Sequence, residues 1–402
     1  MADQAPMMGN DRPYLARTER LPRRIDELSA PWLSRLLGNR YPGIAVEDLE
    51  IVDVKSSHTT KVRLRLKLND VGRAAGIPEN VCIKTNWSGM HTGEICEREA
   101  RFYHLLSTGL DFPVPLSFYS DWDDDSRGNG IVVMEDLALS PGAFGLSSDH
   151  LGIDAVATGL ETLARIHGAM WGDPRLATWD WLKQNMDTDN DTEQVVQYWN
   201  YIHFNLADPE FQDAVPSWVL ETPELMAHVL DELAAYEREQ LGPRCLVHGD
   251  THQGNSFLRA DGQRVWVDWQ LVRKGSPARD VEYWLVSSLT VDERRSADRD
   301  LVEHYRQALI ATGAEGVPSA DDLWQQVIRW PGYGGQAWLG NITVWGQSSG
   351  AEMVRRHFAA AEDWDTVKLL TSGRAPRRNY VPGEGAYRLP RQLQQQLDER
   401  RG

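Results

Sequence analysis

The sequence has no run of about 20 apolar residues, so no stretch of it is expected to cross a bilayer as a helix. It has little cysteine: only Cys82, Cys96 and Cys245, an odd number at no zinc spacing. That excludes a disulfide framework and fits a reducing, cytoplasmic setting. Positive charge is also short, with 42 Lys and Arg against 59 Asp and Glu, a formal net charge of -17. A nucleic-acid partner needs a basic face, and docking to anionic membranes needs basic clusters, so neither is expected. Residues Met1 to Arg20 mix Asp, Arg and Glu without an apolar core, which is not the pattern of a signal peptide. Neither G-x-S-x-G nor G-x-x-x-x-G-K-[ST] occurs.

What remains is an ordinary globular composition, 41% hydrophobic and 25% charged over 402 residues. Residues 1–25 read as a loose polar arm. Asp26 to Leu37 carries Leu28, Trp32, Leu33, Leu36 and Leu37 at helical spacing, with Gly38 as a stop. The period then changes. Leu49–Val54 and Val62–Leu68 read as strands, the second alternating Val62, Leu64, Leu66 and Leu68 with Lys61, Arg63, Arg65 and Lys67. Asn69 to Asn80 reads as a turn-rich connection and Val81–Thr85 as a third strand. Glu94–Leu106 reads as one helix, and Phe118–Trp122 with Ile131–Met134 as a hairpin around an acidic turn.

From Asp149 the pattern is mainly helical, clearest over Leu151–Trp171, Thr192–Leu206 and Glu224–Leu241. One hairpin interrupts it, Ser256–Arg259 and Val265–Asp268 around Asp261-Gly262. Ser276-Pro277 reads as the cap and first position of another helix. The Arg-, Pro- and Gln-rich segment after Thr371 is expected to pack poorly. Four regions follow: an arm (1–25), a sheet-containing lobe (26–137), a helical lobe (138–370) and a tail (371–402).

The chemistry lies in LVHGDTHQGNSFLRADGQRVWVDWQ, residues Leu246 to Gln270. Phosphoryl transfer from ATP needs a carboxylate beside the acceptor hydroxyl and oxygen ligands for the metal on the phosphates. Protein kinases supply them as H-R-D-x-x-x-x-N followed by the Asp of D-F-G. Here His248-Gly249-Asp250 stands five residues before Asn255, and Asp268 closes the following hairpin. Asp250 is the candidate base. Asn255 and Asp268 are candidate ligands of Mg²⁺, a hard cation that takes oxygen. Lys84 sits in an apolar strand, where an unpaired ammonium is costly. An acid of the next helix (Glu94, Glu97 or Glu99) and the α- and β-phosphates would satisfy it. In VVMEDL, a strand running into a hinge, kinase analogy gives the backbone of Glu135 and Leu137 the edge of adenine.

These segments resemble the aminoglycoside phosphotransferase/choline kinase superfamily, and most closely its ecdysteroid-kinase-like branch. The matching stretches are DELSAPWL, CIKTN, EREARFYHLL, VVMEDL, HGDTHQGN, VDWQ and GSPARDVEYW, over about residues 26 to 290. The resemblance implies an α+β, protein-kinase-like bilobal fold with a small antiparallel-sheet N-lobe and a mainly helical C-lobe, binding ATP with Mg²⁺. It implies Glu99 as the partner of Lys84, and Asp280 as a structural support of the catalytic loop. One departure is plain. The nucleotide loop, Lys55-Ser56-Ser57-His58-Thr59-Thr60, has no glycine. Related kinases often use hydroxyls and backbone N–H groups there, which points to Ser56, Ser57 and Thr59.

Other signals are weaker. Asp121, Asp123 and Asp125 mimic a calcium loop, but Ser126 and Val132 stand where Gly and Glu belong. Gly332 to Ala337 spells G-x-G-x-x-A after Trp330-Pro331 rather than after a strand. His167 and His252 read as structural hydrogen-bonders. There are sixteen tryptophans, and the Trp- and Gly-rich stretch Trp330–Gly350 suits a pocket for a flat apolar alcohol or phenol, with Tyr283, Trp284, Trp338 and Trp345 as its candidate walls. The expected activity is transfer of the γ-phosphate to the hydroxyl of a small, hydrophobic molecule. A cationic aminoglycoside or choline, met by the acidic loop Asp187–Glu193, is one alternative. A nucleotide-binding pseudokinase is the other. Oligomeric state is not legible.

Overall fold

A computed structural model describes residues 20–87, 93–107, 110, 113–123, 128–187, 194–222, 224–240, 242–341 and 347–401. The chain divides into two compact units. The first holds the residues up to Ala143, with Ala177–Leu182 and Ser256–Val272; the second holds Phe144–Leu176, Lys183–Asn255 and the chain from Arg273.

The first unit is built on a five-stranded antiparallel sheet of order β1-β2-β3-β5-β4. Its strands are β1 (Val46–Ser56), β2 (Thr60–Leu68), β3 (Asn80–Thr85), β4 (Ser117–Trp122) and β5 (Gly130–Glu135). The alternation in β2 sets its inner face: Val62, Leu64, Leu66 and Leu68 are buried while Lys61, Arg65 and Lys67 are exposed. Helix α1 (Ala30–Gly38) begins where Ser29 caps the Trp32 N–H and Pro31 fills the first turn. Its Trp32, Leu33, Leu36 and Leu37 join the same apolar core as Val62, Val81 and Ile83. Each such side chain contributes roughly 1.5–3 kcal/mol through burial.

Several expectations need correction. The 69–80 connection contains a short helix, α2 (Asp70–Ala74), capped by the Asn69 side chain on the Gly72 N–H. The helix expected over Glu94–Leu106 is α3 (Gly93–Phe102) and then a π-helical turn, Tyr103–Ser107, where the Ser107 hydroxyl bonds the Tyr103 carbonyl at 2.7 Å. The end of the N-terminal arm is docked, not loose. Leu21 is buried in the core, its N–H bonds Asp123 at 3.0 Å, and the Pro22 carbonyl takes the Trp87 indole N–H.

The second unit is mainly helical, with Ile153–Ala169, Glu224–Glu239, Ala278–Ser288, Val291–Ala311 and Gln347–Asp363 as its longer helices. The segment expected to be one helix over Thr192–Leu206 breaks at Tyr198 into Gln194–Gln197 and Trp199–Leu206. The first part of the Trp- and Gly-rich stretch is a helix, Pro331–Leu339. The segment after Thr371 is largely exposed yet anchored, contrary to the expectation of poor packing. Arg374 and Arg377 pair with the buried Glu232 at 3.1 and 2.7 Å, and the Tyr387 N–H bonds the Gln197 carbonyl. Among the described residues no helix is long and apolar enough to cross a membrane.

Candidate active site

In the first unit the site begins at Lys84 on the central strand β3. Its Nζ lies 2.8 Å from Glu99 Oε2 and 2.8 Å from Asp268 Oδ1. The partner is Glu99; Glu97 pairs with Arg101 and Glu94 with Arg98. Burial works against the Lys84 ammonium, but the charges of Asp268 and Glu99 outweigh it and hold its pKa above the ordinary lysine value. Glu99 is raised by burial, against the pull of Lys84. Its Oε1 also accepts the Trp269 N–H at 3.1 Å, so one carboxylate fixes both the lysine and the backbone after Asp268. Trp269 stacks on Phe102 of α3 with ring centroids 3.9 Å apart.

Asp268 does not end a strand, as the hairpin pattern suggested. The hairpin pairs Ser256–Arg259 with Arg264–Trp266, and Asp268 follows it in a left-handed conformation, φ +66°. For a residue with a Cβ that backbone is uncommon and costs on the order of 1 kcal/mol or more. The Lys84 contact, the Glu99–Trp269 bond and a Lys61 Nζ 3.7 Å away hold it there.

The nucleotide-loop residues lie at the β1–β2 turn. Ser56 and Ser57 are exposed, and the Ser57 N–H bonds the Thr59 carbonyl at 2.9 Å. Thr59 is buried, its hydroxyl accepting from the Gln270 amide at 3.2 Å. Glu135 ends β5. Its N–H goes to the Leu116 carbonyl, and its carboxylate takes the Leu116 N–H and Arg259. Leu137 opens a single 3₁₀ turn capped by Asp136, which Arg63 holds at 2.8 Å.

In the second unit the strand Cys245–Val247 pairs with Arg273–Gly275 and feeds the loop that carries Asp250. Asp280, in the first turn of the Ala278–Ser288 helix, organises that loop. Fully buried, it accepts the His248 N–H at 2.6 Å, the Gly249 N–H at 2.8 Å and His167 Nε2 at 3.1 Å. Its backbone carbonyl accepts the Thr251 hydroxyl. Burial alone would raise its pKa; the bonds from His167 and the loop outweigh that and hold it below the usual aspartate range. Gly249 takes φ +87°, a backbone suited to glycine, and Arg279 donates to its carbonyl at 2.9 Å. The Asp250 N–H bonds His248 Nδ1 at 3.2 Å, while Asn255 Nδ2 donates to Asp250 Oδ2 at 2.7 Å and to the Asp250 carbonyl at 3.0 Å. Both bonds use the Asn255 nitrogen, so its Oδ1 is the atom with which it would meet a cation.

The aromatic candidates separate. Tyr283 and Trp338 are buried beside the His252 ring, at 6.3 and 5.3 Å between centroids. Burial, then the charge of Asp250, raises the Tyr283 phenol well above its ordinary pKa. Trp284 faces the other way and is a core residue: its ring lies against Gly159 and its indole N–H bonds the Val156 carbonyl at 3.0 Å. Trp345 lies outside the described residues, as do Asp125 and most of the acidic loop Asp187–Glu193. Arg279 escaped the sequence reading, although it stands next to Asp280; its guanidinium also lies over the Tyr333 ring at 4.4 Å.

A cationic lysine locked to a helix glutamate, and a His-Gly-Asp loop pinned by a buried aspartate, are the parts of a phosphoryl-transfer fold. Residues 88–318 match the phosphotransferase enzyme family, APH. The chain belongs to that family and is a phosphotransferase. Among solved structures it is similar to a protein from Ralstonia eutropha JMP134 assigned as an aminoglycoside phosphotransferase, at 15% identity and TM-score 0.53 over 85% of this chain and 98% of that one. It is also similar to a macrolide 2'-phosphotransferase from Brachybacterium faecium (15% identity, TM-score 0.42, 86% and 99% covered). A choline kinase from Streptococcus pneumoniae stands at 12% identity, TM-score 0.43, with 83% and 98% covered. The first establishes the protein-kinase-like fold. No curated protein matches the sequence.

Proposed function

We propose that this phosphotransferase moves the γ-phosphate of ATP to the hydroxyl of a small, hydrophobic alcohol or phenol. The observation that carries the reading is the Lys84–Glu99–Asp268 cluster. A lysine held at 2.8 Å by two carboxylates is a cation whose position and charge are fixed, which is what contacting the α- and β-phosphates requires. Glu99 is then a positioning residue. Asp250, oriented by Asn255, accepts the proton of the acceptor hydroxyl. Ser56, Ser57 and Thr59 approach the phosphates, and the backbone of Glu135 and Leu137 meets adenine.

Asp268 of the first unit and Asn255 of the second would each supply an oxygen to Mg²⁺. Among the described residues no group of three or more His, Cys, Asp or Glu side chains is arranged to hold a metal. That donor set fits Mg²⁺, which is commonly bound through one or two protein oxygens together with substrate phosphates. When bound, the ion would neutralise charge on the β- and γ-phosphates.

Within the family we place the chain nearest the ecdysteroid-kinase-like branch, on VDWQ and GSPARDVEYW. The three cysteines form no disulfide, which suits a cytoplasmic protein. Tyr283 and Trp338, buried near Asp250's loop, favour an apolar acceptor. A polycation would have to desolvate its ammonium groups against aromatic faces at a cost of several kcal/mol. The test is ATP turnover with a panel of alcohols, phenols and aminoglycosides at low and high ionic strength. An apolar acceptor should keep its KM as salt rises. A best acceptor that is polycationic, with a KM climbing steeply with salt, would exclude the apolar pocket and leave the kinase assignment intact. Asp250→Asn should lower kcat by roughly 10²–10⁴-fold; activity within threefold of the parent would remove Asp250 from its role.

A further inference from the structure

The loop that carries Asp250 contains a second ionisable residue that the reaction above leaves without a task. His252 is buried, and its Nε2 lies 3.6 Å from Asp250 Oδ2. Its Nδ1 lies 3.2 Å from the Ser147 hydroxyl. The ring is thus held between the candidate base and a serine from a separate stretch of the same unit.

The tautomer follows from the two partners. Ionised Asp250 can only accept, so the nitrogen facing it carries the proton. Nδ1 then accepts, and the Ser147 hydroxyl donates to it. At 3.6 Å the Nε2–H contact is longer than a hydrogen bond and inside ion-pair range, so it acts on Asp250 as an oriented dipole. Catalytic contacts of this kind often tighten in the reacting complex.

The surroundings look built for this ring. Ser147 is almost fully buried. Its loop is clamped by Arg356, which donates to the Ser148, Asp149 and Ser287 carbonyls. Gly254 lies alongside: a Cβ there would stand 2.4 Å from Ser147 Oγ and 3.0 Å from His252 Cε1, so the serine–histidine contact needs a glycine at that position. Trp338 meets the His252 ring edge to face at 5.3 Å and fixes its plane.

We propose that His252, oriented by Ser147, is a positioning residue for the catalytic base Asp250. Its Nε2 faces the same oxygen, Oδ2, that Asn255 Nδ2 meets at 2.7 Å, so the two side chains act together on one carboxylate oxygen. The inference rests on the kinase reading of Asp250.

The test is steady-state ATP turnover, with the best acceptor found and with water alone, for His252→Ala, His252→Gln, Ser147→Ala and the Ser147→Ala/His252→Ala double variant. Melting curves select variants that fold, and Mg·ATP affinity is measured directly. His252→Ala should lose about 10–100-fold in kcat, less than removal of the base itself, while Mg·ATP affinity stays within about twofold. His252→Gln, whose amide N–H can face Asp250, should recover most of the loss. Ser147→Ala should lose about 3–10-fold, and the double variant should be no worse than His252→Ala alone, since the two act as one unit. Multiplying effects in the double variant, or a glutamine no better than alanine, would overturn the proposal. Asp250→Asn separates the two readings. If it turns over ATP as fast as the parent, the base assignment falls and His252 with it. If it is slow while His252→Ala is not, only the His252 assignment falls.

Discussion

Lys84→Met is the sharpest test of the charge cluster. Methionine matches the length of the lysine stem and removes the ammonium from between Glu99 and Asp268, which it touches at 2.8 Å on both sides. Glu99 is 1% exposed, so its charge has little water to fall back on. Removing one partner of such a buried pair costs about 3–5 kcal/mol. For a domain of 150–250 residues each kcal/mol is worth about 2–4 °C, so the melting temperature should fall on the order of 10 °C. The deficit should also depend on pH. Glu99 is already raised by burial and loses the lysine that opposed the rise. A carboxyl whose folded pKa exceeds its unfolded value, ~4.3, contributes stability that is fully present below that value and is lost as pH rises through the folded pKa. The variant should therefore lie closer to the parent at pH 5 than at pH 8. Adding Glu99→Gln should restore much of the loss, because glutamine drops the charge but keeps an acceptor for the Trp269 N–H. Calorimetry of the three proteins at both pH values decides. A deficit equal at pH 5 and pH 8, or a double variant no more stable than Lys84→Met, would refute the account.

Asp268→Ala should weaken Mg·ATP binding, read by titration calorimetry, far more than Asp250→Asn does, because the first is proposed to meet the metal and the second the acceptor; equal affinities would break that division. Asp280→Asn keeps one acceptor oxygen for the two loop N–H groups and loses the charge, so it should destabilise by about 1.5–3 kcal/mol in urea unfolding. Its pKa is depressed in the folded state, so its stabilisation is present above the ordinary aspartate value, ~3.9, and lost as pH falls through the folded value. The asparagine variant should show a flatter acid limb, and an unchanged limb would count against Asp280 as the anchor.

Where periodicity is local, the sequence was a good guide. The alternation in Val62–Leu68 gave β2 and its inner face, and the His-Gly-Asp spacing located the loop that Asp280 pins. What failed to show depends on direction in space. Glu97 and Glu99 are two residues apart on a helix and so point about 200° apart, but nothing in their spacing says which side β3 occupies. Tyr283 and Trp284 are adjacent and face different ways; only the position of Gly159 shows that the tryptophan is core. Asp268 looked like a strand end because Val265, Trp266 and Val267 are apolar. Its left-handed backbone is held by Lys84 and Glu99, far away in sequence. The helix α2 was hidden by its Asp and Gly content, which reads as turn when the Asn69 cap is overlooked.

Exposure makes the chain beyond Thr371 look expendable, yet its arginines are the counter-charges of a carboxylate buried in the Glu224–Glu239 helix. A protease that nicked the chain between Thr371 and Arg374 would shed more than a surface segment. It would strand the Glu232 carboxylate inside the Glu224–Glu239 helix with, among the described residues, His228 at 3.8 Å as its remaining ion-pair partner. The trimmed protein would then have to hydrate that group or open the helix, so losing a few surface residues would register deep in the helical unit.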